Sequence, residues 1–564
     1  MRGARFWGLC VLLCVGVPTA VADEPEPYRR PSVHCVNDDA TRAFDQALRQ
    51  FYAFHVDDAL AGFRRAASLD PDCAMAHFGI ALSLGQHRNN PIVEAGCRPA
   101  CGGPRAPNRD RPRRGACQRA QEPSRERAPE AHAAIGRALA LAVRRNAVAP
   151  VDRDLIIALS ARTIADPEAA RTPLLVAHLA SMRAIVRSYP DDPDVATLHA
   201  LAIIDVHEAE FTAPGPLPAA AAADLGAARR ALEAALAHAP DHPGAAHVYL
   251  HLIERTSRTP LADAVADRVA ALAQLSGHMA HLPAHLRMHS GQWDAAADAL
   301  RAALAADEAA AKAAGQPAFQ RLYRTHEHQM LWQAEMMRGD GPAALAAARA
   351  LVGQALTDVS PMLEHMLDGI GAAPGLTMVR FGLWDQALTE PAPGARQTAS
   401  VALWHFARGL ALVRKGKLAE AEGELNALRS AEAALGEVGP GARSVRIAAR
   451  LLDGELVGAK GAPAQAIARL REAAQIEDGA SDALPREWPL PARQFLGALL
   501  LGAGRSAEAE TAYREDLARN PENGWSLRGL ARSLEARALD ASAVEERLQR
   551  VWRGGDSTLS SSRF

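Results

Sequence analysis

The chain has almost no net charge: 63 Lys and Arg stand against 65 Asp and Glu. A dedicated nucleic-acid binder carries a basic excess, so that class is set aside. Aromatics are scarce, with 8 Trp, 6 Tyr and 12 Phe in 564 residues. After the first 22 residues no apolar run approaches the roughly 18 residues that a membrane span requires, and no membrane-spanning segment is expected. The motifs of the commonest enzymes are missing. His207-Glu208 and His326-Glu327 lack the second histidine of H-E-x-x-H, and there is no G-x-S-x-G, no phosphate-binding G-x-x-x-x-G-K-S/T and no G-x-G-x-x-G after a strand. Strand patterns are lacking too, which excludes most folds that carry those motifs. What remains is alanine-rich, with 36 Pro and 42 Gly. That is the composition of many short helices that approach closely through small residues and end at frequent breakers.

The first 22 residues read as an export signal. Arg2 and Arg5 precede an apolar run from Phe6 to Val17, and Ala20-Val21-Ala22 offers a small-x-small cleavage site. The mature protein is expected to be periplasmic or secreted, where disulfides form. Cys35 lies before the first helix and Cys73 at the start of the third, and a bridge between them would tie the N-terminal segment to the rest. Two buried thiols are the alternative. Cys97, Cys101 and Cys117 lie in Glu94–Ala128, which holds nine Arg and five Pro without helical period. This stretch reads as an irregular insertion and not as a metal site.

A repeat dominates the rest. Counting Ala40 as position 1, Ala47 falls at 8, Ala59 at 20, Phe63 at 24, Ala66 at 27 and Pro71 at 32. Small residues at 8 and 20 let two helices cross closely, Phe63 fills the gap, and Pro71 ends the second helix. Gly at 15 with Ala at 20 recurs as Gly291/Ala296, Gly339/Ala344, Gly382/Ala387, Gly416/Ala421, Gly461/Ala466 and Gly504/Ala509. First positions fall at 193, 243, 277, 325, 368, 402, 447 and 490, with 243 to 277 and 368 to 402 both spaced by 34 residues. These positions resemble the tetratricopeptide repeat (TPR), which implies an all-α right-handed superhelix of stacked helix pairs. The expected organisation is a signal peptide at 1–22, an N-terminal segment with the first repeats at 23–93, the insertion at 94–128, central repeats at 129–360 and C-terminal repeats at 361–564. Trp293, Trp332, Trp384 and Trp404 fall at packing positions.

A narrower resemblance lies in Asp70-Pro71-Asp72-Cys73-Ala74-Met75-Ala76-His77-Phe78-Gly79, His242-Pro243-Gly244-Ala245-Ala246-His247-Val248-Tyr249-Leu250-His251 and Gly277-His278-Met279-Ala280-His281-Leu282-Pro283-Ala284-His285. With Trp488-Pro489, Asn523-Gly524-Trp525 and Ser562-Arg563-Phe564, these segments look like a family of exported bacterial TPR proteins. That resemblance implies architecture and no settled activity.

Histidine is where the sequence speaks about function. Ten of the 20 histidines lie between His199 and His289. In the repeat starting at 243, His247, His251 and Glu254 occupy positions 5, 9 and 12. In the repeat starting at 277, His278, His281, His285 and His289 occupy 2, 5, 9 and 13. The spacings i, i+4, i+7 and i, i+3, i+7 each follow one helix face, and the TPR resemblance implies that these positions line the concave groove. Neighbouring first helices lie about 8–10 Å apart, within reach of two imidazoles bound to one ion. The expected metal set is His247, His251, Glu254, His281 and His285, for Cu, Zn or Fe, ions that suit imidazole. His278, His289, His326, Arg255 and Tyr249 are further groove candidates, with Tyr249 also suited to core packing and Arg255 to holding a carboxylate. Asp241, Asp263, Asp267 and Glu208 are candidate acceptors for the rings. Two other readings stay open. The histidines can form a metal-free acid/base or anion site, or be polar groove residues of an interaction module that binds a peptide, protein or small molecule. Any chemistry is expected to be metal-assisted and local to the groove.

Overall fold

The computed structural model describes residues 28–85, 112–144, 148–166, 169–212, 217–254, 260–271, 277–314, 318–355, 365, 367–437, 439–480, 483–552 and 559–563. The signal peptide expected at 1–22 and Arg255 lie outside these residues. Among the described residues there is no strand, and no helix is long and apolar enough to cross a membrane.

The helices come in antiparallel pairs. α1 (Asp38–Tyr52) packs on α2 (Val56–Leu69), α3 (Ala74–Leu84) on α4 (Pro112–Arg144), and α5 (Pro150–Ser160) on α6 (Arg171–Ser188). α7 (Pro193–Val206) is followed by the short α8 (Glu208–Thr212) and by its partner α9 (Ala219–His238). Next come α10 (Pro243–Glu254) with α11 (Pro260–Ala271), α12 (Gly277–His289) with α13 (Trp293–Ala314), and α14 (Ala318–Arg338) with α15 (Gly341–Ala355). The C-terminal pairs are α16 (Ala373–Arg380) with α17 (Trp384–Thr389), α18 (Thr398–Arg414) with α19 (Leu418–Leu435), and α20 (Ala442–Ala459) with α21 (Pro463–Asp478). They end with α22 (Ala492–Gly502) on α23 (Ser506–Arg519), and α24 (Gly524–Glu535) on α25 (Ser542–Val551). First helices also pack on first helices, as in α7 on α10, α10 on α12 and α12 on α14. The fold is an all-α TPR solenoid.

Local chemistry explains the pairing. Proline opens α4, α5, α7, α10, α11 and α21, where its missing N–H costs nothing. The turn inside a pair needs one left-handed residue, and glycine supplies it at Gly291, Gly339, Gly382, Gly416, Gly461 and Gly504, with φ from 69° to 87°. In the first pair the same position is filled by Phe54, at φ 64°. Small residues sit at the crossings: Ala47, Ala59, Ala296, Ala344 and Ala421 are fully buried.

One expectation is corrected. The stretch 94–128 is not irregular throughout, because α4 begins at Pro112. Its Arg, Ala, Glu and Gln are strong helix formers even without an amphipathic period. Residues 94–111 lie outside the described residues. The core is shared along the array. One apolar cluster runs from Val33 to Leu286 and a second from Ala284 to Ala541, so α12 contributes Met279, Leu282 and Leu286 to one and Ala284 and Met288 to the other.

The array folds back on itself twice. α1 packs against α10 and α14 against α24, and the Trp525 indole N–H donates to the Met336 carbonyl at 3.0 Å. The first contact is fastened by a buried polar clasp. Arg30 pairs with Asp152 at 2.8 Å and with Asp194. Asp194 also accepts from Tyr28 at 2.5 Å and from Tyr52, and lies 3.2 Å from His242. Burial disfavours its charge, but Arg30 and His242 hold its carboxyl below the usual range. A disulfide joins Cys35 to Cys73, with Cα atoms 5.0 Å apart.

Candidate metal centre

The histidines gather on three consecutive first helices, α10, α12 and α14, and form two triads. In the first, His247, His251 and His278 each bring one ring nitrogen to within 4.8 Å of the others. In the second, His281, His285 and His326 do the same. Within the first, His247 Nε2 and His278 Nε2 are 2.9 Å apart. Within the second, His285 Nε2 and His326 Nε2 are 3.2 Å apart. Nitrogens around a tetrahedral ion with metal–nitrogen bonds near 2.05 Å lie roughly 3.3 Å from each other, so both pairs stand close to chelating separation. The triads adjoin, with the rings of His278 and His281 centred 4.9 Å apart.

The rings are oriented from behind. His247 Nδ1–H donates to the Tyr52 carbonyl, which turns Nε2 toward His278. His285 Nδ1–H donates to Glu254 Oε1 at 2.7 Å, which turns its Nε2 toward His326. The other oxygen of Glu254 lies 3.9 Å from His251 Nδ1, so this carboxylate touches one ring of each triad. Nδ1 of His281 is 3.1 Å from Glu327 Oε1. Such carboxylate and carbonyl partners fix the tautomer of metal-binding histidines.

The site is covered. His247, His278, His281 and His285 are 0–7 % exposed. Phe54 forms the wall, stacked on His278 at 4.8 Å and His251 at 5.9 Å and tilted against His247 at 3.9 Å. Tyr323 packs edge-on against His278. Burial and the neighbouring rings push His278, His281 and His326 down, so they stand neutral, the form that ligates. Burial works to raise Glu254, but His285 and His251 outweigh it and keep the carboxylate ionised. Burial pushes Glu327 up to about 8. Neither Glu327 oxygen nor His278 Nδ1 has a hydrogen bond, although all are buried. Buried polar atoms without partners are uncommon, and a bound ion is one of the things that satisfies them.

The structure changes the ligand set expected from sequence. His278 and His326, expected as further groove candidates, are members of the triads. The stagger of adjacent helices brings position 2 of the next repeat opposite position 5 in one case and position 9 in the other. Glu254 sits between the triads, where it contacts His251 and His285. His289 belongs to neither group. Tyr249 is a correction: it is fully buried and its hydroxyl faces Glu233 at 3.3 Å. Two residues after His247 along a helix is nearly the opposite face. Asp267 pairs with Arg287 and not with a ring. Phe54, the Tyr52 carbonyl and Glu327 were not foreseen. Phe54 had a signal, since it stands where six other pairs have glycine. The group Cys35, Asp70 and Cys73 is closed to metal by the disulfide.

No protein-family model matches the chain, and no curated protein matches its sequence. Solved structures that resemble it include yeast Tom70, 12% identical over 91% of this chain and 90% of that one, with a TM-score of 0.28. A human IFIT1 dimer with m7Gppp-AAAA is 13% identical over 83% and 97%, with a TM-score of 0.31. The TPR domain of P58(IPK) is 13% identical over 89% and 98%, with a TM-score of 0.21. TM-scores this low carry nothing about what this chain binds.

Proposed function

We propose that this protein is an exported TPR scaffold that holds a transition-metal ion on its first helices and offers it to a small substrate. The observation that carries the reading is the convergence of three ring nitrogens within 4.8 Å, reached twice. All-imidazole donation suits Zn, Cu, Fe and Ni. Three histidines leave the fourth position of a tetrahedral ion open, as in catalytic zinc sites, where an ion can polarise a carbonyl or activate water. An interaction module would bind its peptide on exposed groove residues. Here Phe54 and the Tyr52 carbonyl already cover the histidine face, which favours metal over peptide as the reason for the cluster.

The test is metal retention. Protein purified without a polyhistidine tag is exposed in turn to Zn(II), Cu(II), Ni(II) and Fe(II), dialysed, and assayed by elemental mass spectrometry. Stoichiometric retention is expected, with loss in the double variant His251→Ala/His285→Ala and unchanged helical circular dichroism, because solenoid stability is spread over many interfaces. Wild-type protein that keeps no ion and shows no thermal shift with any of them overturns the reading.

A further inference from the structure

The two triads are the same construction made twice. His247 and His251 occupy positions 5 and 9 of the repeat at 243, and His278 occupies position 2 of the next. His281 and His285 occupy positions 5 and 9 of the repeat at 277, and His326 occupies position 2 of the repeat at 325. One step along the array carries the first set onto the second. Each triad also has one Nε2–Nε2 approach between neighbouring helices, position 2 on position 5 in the first at 2.9 Å and position 2 on position 9 in the second at 3.2 Å. A chance cluster of histidines has no reason to obey the repeat, and a single site shared by all six rings has no reason to be built twice.

We propose that the chain holds two metal ions side by side, one in each triad, and that Glu254 is the positioning residue common to both. This rests on the metal-binding reading above. Glu254 is placed for that role. It ends α10, and its two oxygens face His285 Nδ1 at 2.7 Å and His251 Nδ1 at 3.9 Å. By accepting from His285 Nδ1 it leaves Nε2 of that ring for the ion, and its other oxygen faces Nδ1 of His251 rather than Nε2. It therefore acts behind the ligands, and its loss disturbs both sites at once. The groups around the rings differ between the sites: the Tyr52 carbonyl accepts from His247 in the first, and the Glu327 carboxyl lies 3.1 Å from His281 Nδ1 in the second. The two ions therefore have different surroundings. Both are assigned to the class of divalent first-row ions that imidazole binds.

The experiment is a titration of tag-free apo-protein with Zn(II), and in parallel with Co(II), whose visible bands report each coordination sphere. Wild-type protein is expected to take up two ions. His251→Ala and His326→Ala, both at half-buried rings, are each expected to take up one. Glu254→Gln is expected to weaken both sites by about 10–100-fold and to shift the Co(II) bands of both, while the circular dichroism and melting of the apo-protein stay as in wild type. A wild type that binds one ion, lost in either single variant, overturns the two-site proposal and leaves the metal-binding reading intact. A single variant that loses both ions also overturns it. Glu254→Gln that disturbs only one site removes the assignment of Glu254. A wild type that binds no ion fails the earlier reading and not this one alone.

Discussion

Phe54 holds a backbone conformation that its own side chain opposes. At φ 64° a residue with a Cβ is disfavoured by about 1–2 kcal/mol, and six other pairs answer this with glycine. Replacing Phe54 separates two opposing effects. Its ring is 8 % exposed, and removing a buried phenyl costs about 3–5 kcal/mol. Phe54→Ala and Phe54→Gly both lose the ring, but only glycine relieves the backbone. The looser unfolded chain returns about 0.4–1 kcal/mol of that relief. Phe54→Gly is therefore expected to be about 1 kcal/mol more stable than Phe54→Ala, the reverse of the order inside a helix or strand, where glycine is worse. The assay is urea unfolding combined with hydrogen exchange of residues 38–69, so that the N-terminal pair is followed by itself. If alanine is as stable as glycine or more so, residue 54 is not held left-handed and the strain argument falls. In both variants the first triad also loses its wall, and the ion there is expected to exchange faster than in wild type.

Acid should act through His178, which donates to the Ala158 carbonyl at 2.8 Å and is pushed down to about 3 by burial, with Arg162 adding to the effect. The unfolded chain protonates near 6.5, so stability is lost as pH falls through the interval from 6.5 to 3, by about 2 kcal/mol at pH 5. His178→Gln should flatten the wild-type slope between pH 7.5 and pH 5 by that amount, and parallel slopes would count against it. Asp194→Asn should break the clasp at a cost of about 3–5 kcal/mol and release the first metal site while sparing the second, read by unfolding and by ion stoichiometry. Ala296→Leu, Ala344→Leu and Ala421→Leu should each cost about 1–3 kcal/mol, whereas Ala309→Leu at an exposed position should leave the melting temperature unchanged.

The repeat was readable because each helix pair writes its own crossing. Alanine at 8 and 20 and glycine at 15 are local demands, and the helices that carry them appear where the phases put them. The faces of α10 and α12 were readable for the same reason, since i, i+4, i+7 is a property of one helix. Which ring meets which was not, because it depends on the stagger between helices, and no residue states that stagger. Phe54 and Tyr52 were out of reach for a different reason. They arrive by the folding of α1 onto α10, a contact set by the sum of small rotations from pair to pair.

That contact has a consequence for the order of assembly. The Tyr52 carbonyl and its His247 partner are separated by 195 residues. At synthesis rates of about 5–20 residues per second, the first helix pair emerges roughly 10–40 s before the helix that it must cover. The early pairs can stack on one another as they appear, because each needs only its neighbour. The clasp on Asp194 cannot close around His242, nor can Phe54 find its rings, until α10 exists. During that interval Phe54, Tyr52 and the unpaired face of α1 are open to water and to other chains. Growth from one end is enough to build the scaffold, but the histidine chamber is a late product, closed only when the beginning of the chain meets its middle.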